Sequence, residues 1–220
     1  MTVALIVMTD GREHITDAIK SAEANLSGPI TERIIHDDSG DDAHRAWLAR
    51  TFPDYRVVYR TQRQGFSGAY ANAWRLLAGL PQRWVFSTED DFTFNRPVNL
   101  DAMLEVLASR PYLAQMALRR QAWSQAEKDA GGVIEQHPGD YEPHEWNDHA
   151  WLEHRRFFTT NPSLFSRELT EVGWPQVAES EGHFTRVLTA DPGTRFGYWG
   201  KRDDAPWVTH VGTVRVGHGY

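Results

Sequence analysis

Apolar and polar positions in the first ninety residues switch between two periods. Residues 3–8 form a continuous apolar run, the pattern of a strand covered on both faces. Asp10-Gly11 breaks the run, and Ile15, Ala18, Ile19, Ala22 and Leu26 then recur at helical spacing until Gly28-Pro29. Residues 33–36 read as a second strand, 43–51 as a second helix and 56–59 as a third strand. The spacing of Ala73, Leu76, Leu77 and Leu80 predicts a helix over about residues 67–80, and 84–87 is a short apolar fourth strand.

Strand and helix alternating in this way predict an α/β fold. It is a doubly wound, mostly parallel sheet with helices on both faces. Ligands of such sheets bind at the carboxyl ends of the strands. The polar clusters fall there: Thr9-Asp10 after the first strand, Asp37-Asp38-Ser39 after the second, and Glu89-Asp90-Asp91 after the fourth. Three acidic clusters are thus expected to converge on one edge.

The second half is less regular. Residues 99–109 read as a helix, 113–118 as a strand, 157–165 as a strand and 181–190 as a helix. Between 121 and 156 the chain is polar, rich in Trp, His, Asp and Glu, and weakly periodic, as expected of a functional loop. The tail, 207–220, mixes alternating and glycine-rich positions. With no repeat or linker, residues 1–220 are read as one domain.

Composition narrows the function classes. A net charge of −7 disfavours an electrostatic grip on nucleic acid. The absence of cysteine removes thiolate chemistry and disulfides and suits a cytoplasmic setting. The apolar start is too short for a membrane span and lacks the basic flank of a signal peptide. Aromatic side chains are frequent, with nine tryptophans available for packing or for stacking on sugars.

Glu89-Asp90-Asp91 carries the clearest chemistry. Three successive carboxylates repel one another unless a cation or solvent relieves them. Hard oxygen ligands at a strand end suit Mn²⁺ or Mg²⁺, with substrate phosphates completing the shell. Gly65-Phe66-Ser67-Gly68 opens a helix and lets the backbone approach a ligand, but it is neither a P-loop nor a dinucleotide fingerprint. His144-Glu145 fails as a zinc-protease motif because the next histidine, His149, comes five residues on rather than four.

The chain resembles family 2 glycosyltransferases with the GT-A (nucleotide-diphospho-sugar transferase) fold. The resemblance rests on Leu5-Ile6-Val7-Met8-Thr9-Asp10-Gly11-Arg12, Asp37-Asp38-Ser39-Gly40-Asp41, the Gly65…Gly68…Ala71-Asn72 stretch, and Glu89-Asp90-Asp91 in place of the Asp-x-Asp motif. It covers residues 3–95 well and the remainder loosely, so about 1–95 would bind the nucleotide sugar and about 96–220 would face the acceptor. It implies that Thr9, Asp10, Arg12, Asp38, Gly65, Ser67 and Asn72 line the donor pocket with Asp90. Asp91 would bind the metal bridging the diphosphate. Glu89, standing where the family has Asp, and His210 near the carboxyl end would be further ligands, with His218 a weaker candidate. Glu181, then Glu179, would be the base that takes the acceptor's proton. Trp123 and Trp146 are acceptor-side candidates, with Trp151 beside them.

The expected activity is therefore metal-dependent transfer of a hexose, UDP-sugar being the default donor, with inversion, to a glycan, protein or other hydroxyl acceptor. Two other readings stay open: a nucleotidyltransferase of sugar phosphates, and a non-catalytic module binding nucleotide sugars or glycans.

Overall fold

The structure, a computed structural model, describes residues 1–212; His218 and the end of the tail lie outside the described residues. The first half runs β1 (Val3–Thr9), α1 (Ile15–Asn25), β2 (Leu26–Ser27), β3 (Ile30–Asp37), α2 (Asp42–Thr51), β4 (Arg56–Tyr59), α3 (Gly65–Ala78) and β5 (Trp84–Glu89). The second half begins with β6 (Phe92–Phe94), β7 (Val98–Asn99), α4 (Leu100–Ser109), β8 (Leu113–Ala117) and α5 (Gln125–Ala130). It ends with β9 (Glu142–Trp146), β10 (His149–His154), β11 (Ser163–Ser166), α6 (Ser180–Thr189), β12 (Arg195–Trp199) and β13 (Val208–His210).

Among the described residues nine strands make one sheet in the order β4-β3-β1-β5-β11-β8-β12-β10-β9. Neighbours from β4 to β5 pair in parallel, as do β8 and β12. Of these nine strands, β11 and β10 run against the others. The continuous apolar run of β1 is explained by its central place. Val3, Leu5 and Val7 pack into one core with α1 and α4, while Ile6 and Met8 pack into a second with α3 and α6. Trp74 of α3 sits in that second core among Phe158, Phe165, Trp174 and Phe184. Among the described residues no helix is long and apolar enough to cross a membrane.

Three expectations need correction. The polar stretch 121–156 is not one irregular loop: it holds α5 and the antiparallel hairpin β9–β10. Apolar alternation fails to mark that hairpin because β10 buries Glu153 and His154 beside Trp151 and Leu152. Its two-residue turn, Asn147-Asp148, takes positive φ values of 49° and 63°, the conformation such hairpins require. Second, the strand expected over 157–165 is confined to Ser163–Ser166. Upstream, the amides of Phe158, Thr159 and Thr160 are taken by the side chains of Thr185, Gln115 and Glu181 instead of a neighbouring strand. Third, α3 begins at Gly65, two residues earlier than the spacing predicts, with Gly65 at φ +70°.

Candidate active site

Because β3, β1 and β5 are parallel neighbours, their carboxyl ends lie side by side. Thr9, Asp38 and Glu89-Asp90-Asp91 therefore arrive at one edge. A cleft of about 950 Å³ opens there. It is lined by Thr9, Asp10 and Arg12, by Asp38, Gly65 and Ser67, by Tyr70, Glu89 and Asp90, and by Val177, Ala178 and Ser180.

The three consecutive carboxylates point to different partners. Asp90 is buried and accepts a 2.5 Å hydrogen bond from the Thr9 hydroxyl, which in turn accepts from the Gly11 amide. Asp91 turns toward the carboxyl-terminal segment, with Oδ2 3.2 Å from His210 Nε2. Glu89 accepts from the Tyr70 hydroxyl at 2.9 Å. That hydrogen bond faces Glu89 toward α3 and the 157–162 segment, and the Thr160 hydroxyl lies within hydrogen-bonding reach of Glu89 and Glu181 alike. Glu181 also accepts from the Thr160 amide at 2.8 Å.

This division separates their protonation. Burial pushes Asp90 up to about 7, against the pull of Arg12 and Thr9. Burial and the charge of Asp91 raise Glu89, and burial raises Glu181. Burial works the same way on Asp91, but the His210 hydrogen bond and the Arg12 charge outweigh it and hold Asp91 below its ordinary value. One anion beside two groups biased toward the acid form is how adjacent carboxylates coexist in a buried corner.

Arg12 is the common counter-charge. Its Nη1 bonds Asp91 Oδ2 and lies 3.4 Å from Asp90 Oδ1, while its Nε lies 3.0 Å from Asp10 Oδ1. Arg63, which the sequence reading missed, meets the other oxygen of Asp10 at 2.7 Å. Asp38 receives the amides of Gln64 and Gly65, each at 2.8 Å, and so ties the start of α3 to the end of β3.

His210 is held from all sides. Its ring stacks on Phe92 at 4.7 Å and meets Trp123 at 4.8 Å. The Gln121 amide donates to its carbonyl and accepts from its amide, both at 2.9 Å. The Val211 amide donates to the Asp91 carbonyl, and the Trp123 indole to the Gly212 carbonyl. A methyl group on Gly212 would collide with Asp91 Oδ2 and come within 2.9 Å of His210 Nε2.

Other predicted residues lie elsewhere. Asn72, Asp91, Glu181 and His210 are not part of the cleft lining; Asn72 bonds Arg75, whereas Asp91 and Glu181 adjoin lining residues in the chain. Glu179 is exposed at the start of α6, without a capping bond from its side chain. Trp123 packs on His210, and Trp146 sits on β9 under the Arg110 guanidinium. That strand is five places from β5, or about 24 Å at about 4.8 Å per strand. Tyr70, Thr160 and Gln121 were also missed. Tyr70 alone carried a signal, one turn and a half into the helix that opens on Gly65.

No protein-family model matches the sequence, and no curated protein matches it. Solved structures do. A mannosyltransferase of Pyrobaculum calidifontis, determined with GDP-Man and Mn²⁺, superposes with a TM-score of 0.61 at 18% identity, over 98% of this chain and 58% of that one. Residues 1–349 of TarS from S. aureus, in complex with UDP-GlcNAc, give 0.63 at 13% identity, over 99% and 60%. This chain thus spans about three-fifths of the length of those structures. At such identities the likeness establishes the fold: the chain adopts the GT-A architecture of these transferases.

Proposed function

We propose that this chain is a metal-dependent glycosyltransferase that moves a hexose from a nucleoside diphosphate sugar, UDP-sugar by default, to a hydroxyl acceptor with inversion. The observation that carries the reading is the cleft itself. It joins a phosphate-facing corner (Thr9, Asp10, Arg12, Asp90) to Glu89 and its partner Tyr70, with Ser180, the neighbour of Glu181, also in its lining. Solved structures of the same fold contain GDP-Man with Mn²⁺ and UDP-GlcNAc, which supports a nucleotide-sugar donor here.

The residues present fit a divalent cation. Asp91 Oδ1 is buried with no hydrogen-bond partner among the described residues, and Oδ2 faces His210 Nε2. Gly212 leaves room that any side chain would fill. Among the described residues no three His, Asp or Glu groups converge to hold a metal unaided. Asp91 and His210 would therefore hold it together with donor phosphate oxygens, the usual arrangement for Mg²⁺ or Mn²⁺. When bound, the cation would stabilise charge developing on the leaving diphosphate.

The protein's own groups divide the remaining work. Arg12 and Arg63 offer cationic contacts to the diphosphate. Asp38 holds the Gln64-Gly65 backbone, with Ser67 just beyond, at the nucleotide end of the cleft, and Asp90 faces the donor. Glu181 accepts the acceptor's proton as its oxygen attacks the anomeric carbon, with Thr160 fixing the carboxylate. Glu89, turned to Tyr70, is assigned to that proton network rather than to the metal. Residues 1–95 form the donor half of this unit, and 96–220 the acceptor half.

A thermal-shift series with UDP, GDP and their sugars, with and without Mn²⁺, tests the reading. Metal-dependent stabilisation by a nucleoside diphosphate is the expected result, and its absence sinks the proposal. Incubation of the stabilising donor then separates the readings by product. Nucleoside diphosphate supports transfer, pyrophosphate supports a nucleotidyltransferase, and neither supports a binding module.

A further inference from the structure

A metal held between Asp91 Oδ2 and His210 Nε2, which lie 3.2 Å apart, would share that oxygen with Arg12, whose Nη1 bonds it. A divalent cation bound through this oxygen sits about 2.1 Å from it. A guanidinium nitrogen in bonding contact with the same oxygen would put two positive charges about 4 Å apart in a half-buried corner, where repulsion is strong. One must yield.

Arg12 is built to yield. Its side chain is 26% exposed and lines the cleft, whereas Asp91 is 4% exposed. Gly11, at φ +93°, places it in a turn beyond β1 rather than within the strand. Its planar fork also matches phosphate oxygens, which it can engage in pairs.

We infer that Arg12 is an exchange residue, which occupies Asp91 until a donor diphosphate draws it into the cleft and frees that carboxylate for the metal. This rests on the glycosyltransferase reading above and adds a coupling between the two ligands. The metal alone meets Asp91 already neutralised by Arg12. The diphosphate removes that competitor and itself gains the guanidinium. By linkage, metal must tighten diphosphate binding by the same factor.

The test measures Mn²⁺ binding to the intact chain by loss of the free-ion paramagnetic resonance signal, with and without saturating UDP. Diphosphate oxygens complete the metal shell in any variant, so the informative quantity is the difference between wild type and Arg12→Gln. In Arg12→Gln, Mn²⁺ alone should bind about 5- to 10-fold more tightly than in wild type, and the UDP enhancement should shrink by about the same factor. Arg12→Lys, which keeps a charge but not the fork, should restore weak binding of Mn²⁺ alone. Thermal melts establish that the variants are folded, and Arg12→Ala serves in place of Gln should the Gln variant not fold: unchanged Mn²⁺ affinity in folded Arg12→Ala then overturns the inference. Unchanged Mn²⁺ affinity in folded Arg12→Gln overturns it as well and leaves the glycosyltransferase reading standing. Failure of wild type to bind Mn²⁺ even with UDP overturns both.

Discussion

His210 Nε2 lies 3.2 Å from Asp91 Oδ2 although 119 residues separate them in the chain. The pairing depends on β13 lying antiparallel to β6, which puts His210 opposite Phe92, the residue after Asp91. Gln121 then clasps the His210 backbone from both sides. Removing a ligand should cost more than removing the group that orients it, and the latter commonly costs about 10- to 100-fold in metal affinity. His210→Ala should therefore raise the Mn²⁺ concentration for half-maximal nucleotide binding by about 100-fold or more, and Gln121→Ala by about 10-fold. Equal effects of the two, or none, would remove His210 from the metal.

Gly212 supplies an independent check on the same corner. The Cβ of Gly212→Ala would press on Asp91 Oδ2 and His210 Nε2, two side-chain tips that must shift to admit it. Metal affinity should fall by about 10-fold, as for loss of a positioning contact. The melting temperature without metal should change little, because the new atom meets the site and not the core. A large loss of stability with unchanged metal affinity would contradict the placement.

Glu181 and Glu89 are predicted to differ in kind. Glu181→Gln keeps the shape and the bond from the Thr160 amide but cannot take a proton. It should leave donor binding intact and lower transfer by about 10²- to 10⁴-fold. Glu89→Gln keeps an acceptor for Tyr70 and, if Glu89 serves only to orient the network, should cost far less. Steady-state rates at saturating donor separate the two. A Glu181→Gln enzyme with wild-type turnover would return the base role to Glu89.

The strand-end residues of the first half were more legible in the sequence than the contacts made by the second half, for physical reasons. A run such as residues 3–8 has one stable home, the middle of a parallel sheet, and parallel strands deliver Asp10, Asp38 and Asp91 to one edge. Contacts such as Arg12 to Asp91 or Thr160 to Glu181 depend on rotamers and on distant segments, and leave no periodic trace. Trp146 illustrates the limit. Its aromatic character suggested a sugar platform, but its strand pairs at the far edge of the sheet, a placement set by the Asn147-Asp148 turn and not by Trp146 itself.

Two buried histidines contribute to the predicted response to acid. His36 on β3 and His154 on β10 are each 3% exposed. Burial pushes His36 down to about 4, with Asp37 opposing and Arg60 assisting. It pushes His154 down to about 3, with Arg156 assisting and Asp140 opposing. Both are neutral in the folded chain at pH values where the unfolded chain, titrating near 6.5, binds a proton. Their contribution is thus fully present above about pH 6.5 and is lost as pH falls toward 4 and then 3, at up to about 1.4 kcal/mol per pH unit for each. Asp90, raised by burial to about 7, and Glu89, raised by burial to about 8, act in the opposite sense, since their contributions fade as pH rises from about 4 through those values. The comparison that isolates an imidazole is therefore wild type against His154→Phe, whose ring can join Tyr141, Phe157, Phe196 and Tyr198. Denaturant melts from pH 7.5 to 4.5 should show the gap between the two proteins changing in favour of the variant by about 1.4 kcal/mol per unit once below pH 6. A constant gap across that range would mean that His154 titrates normally in the folded chain.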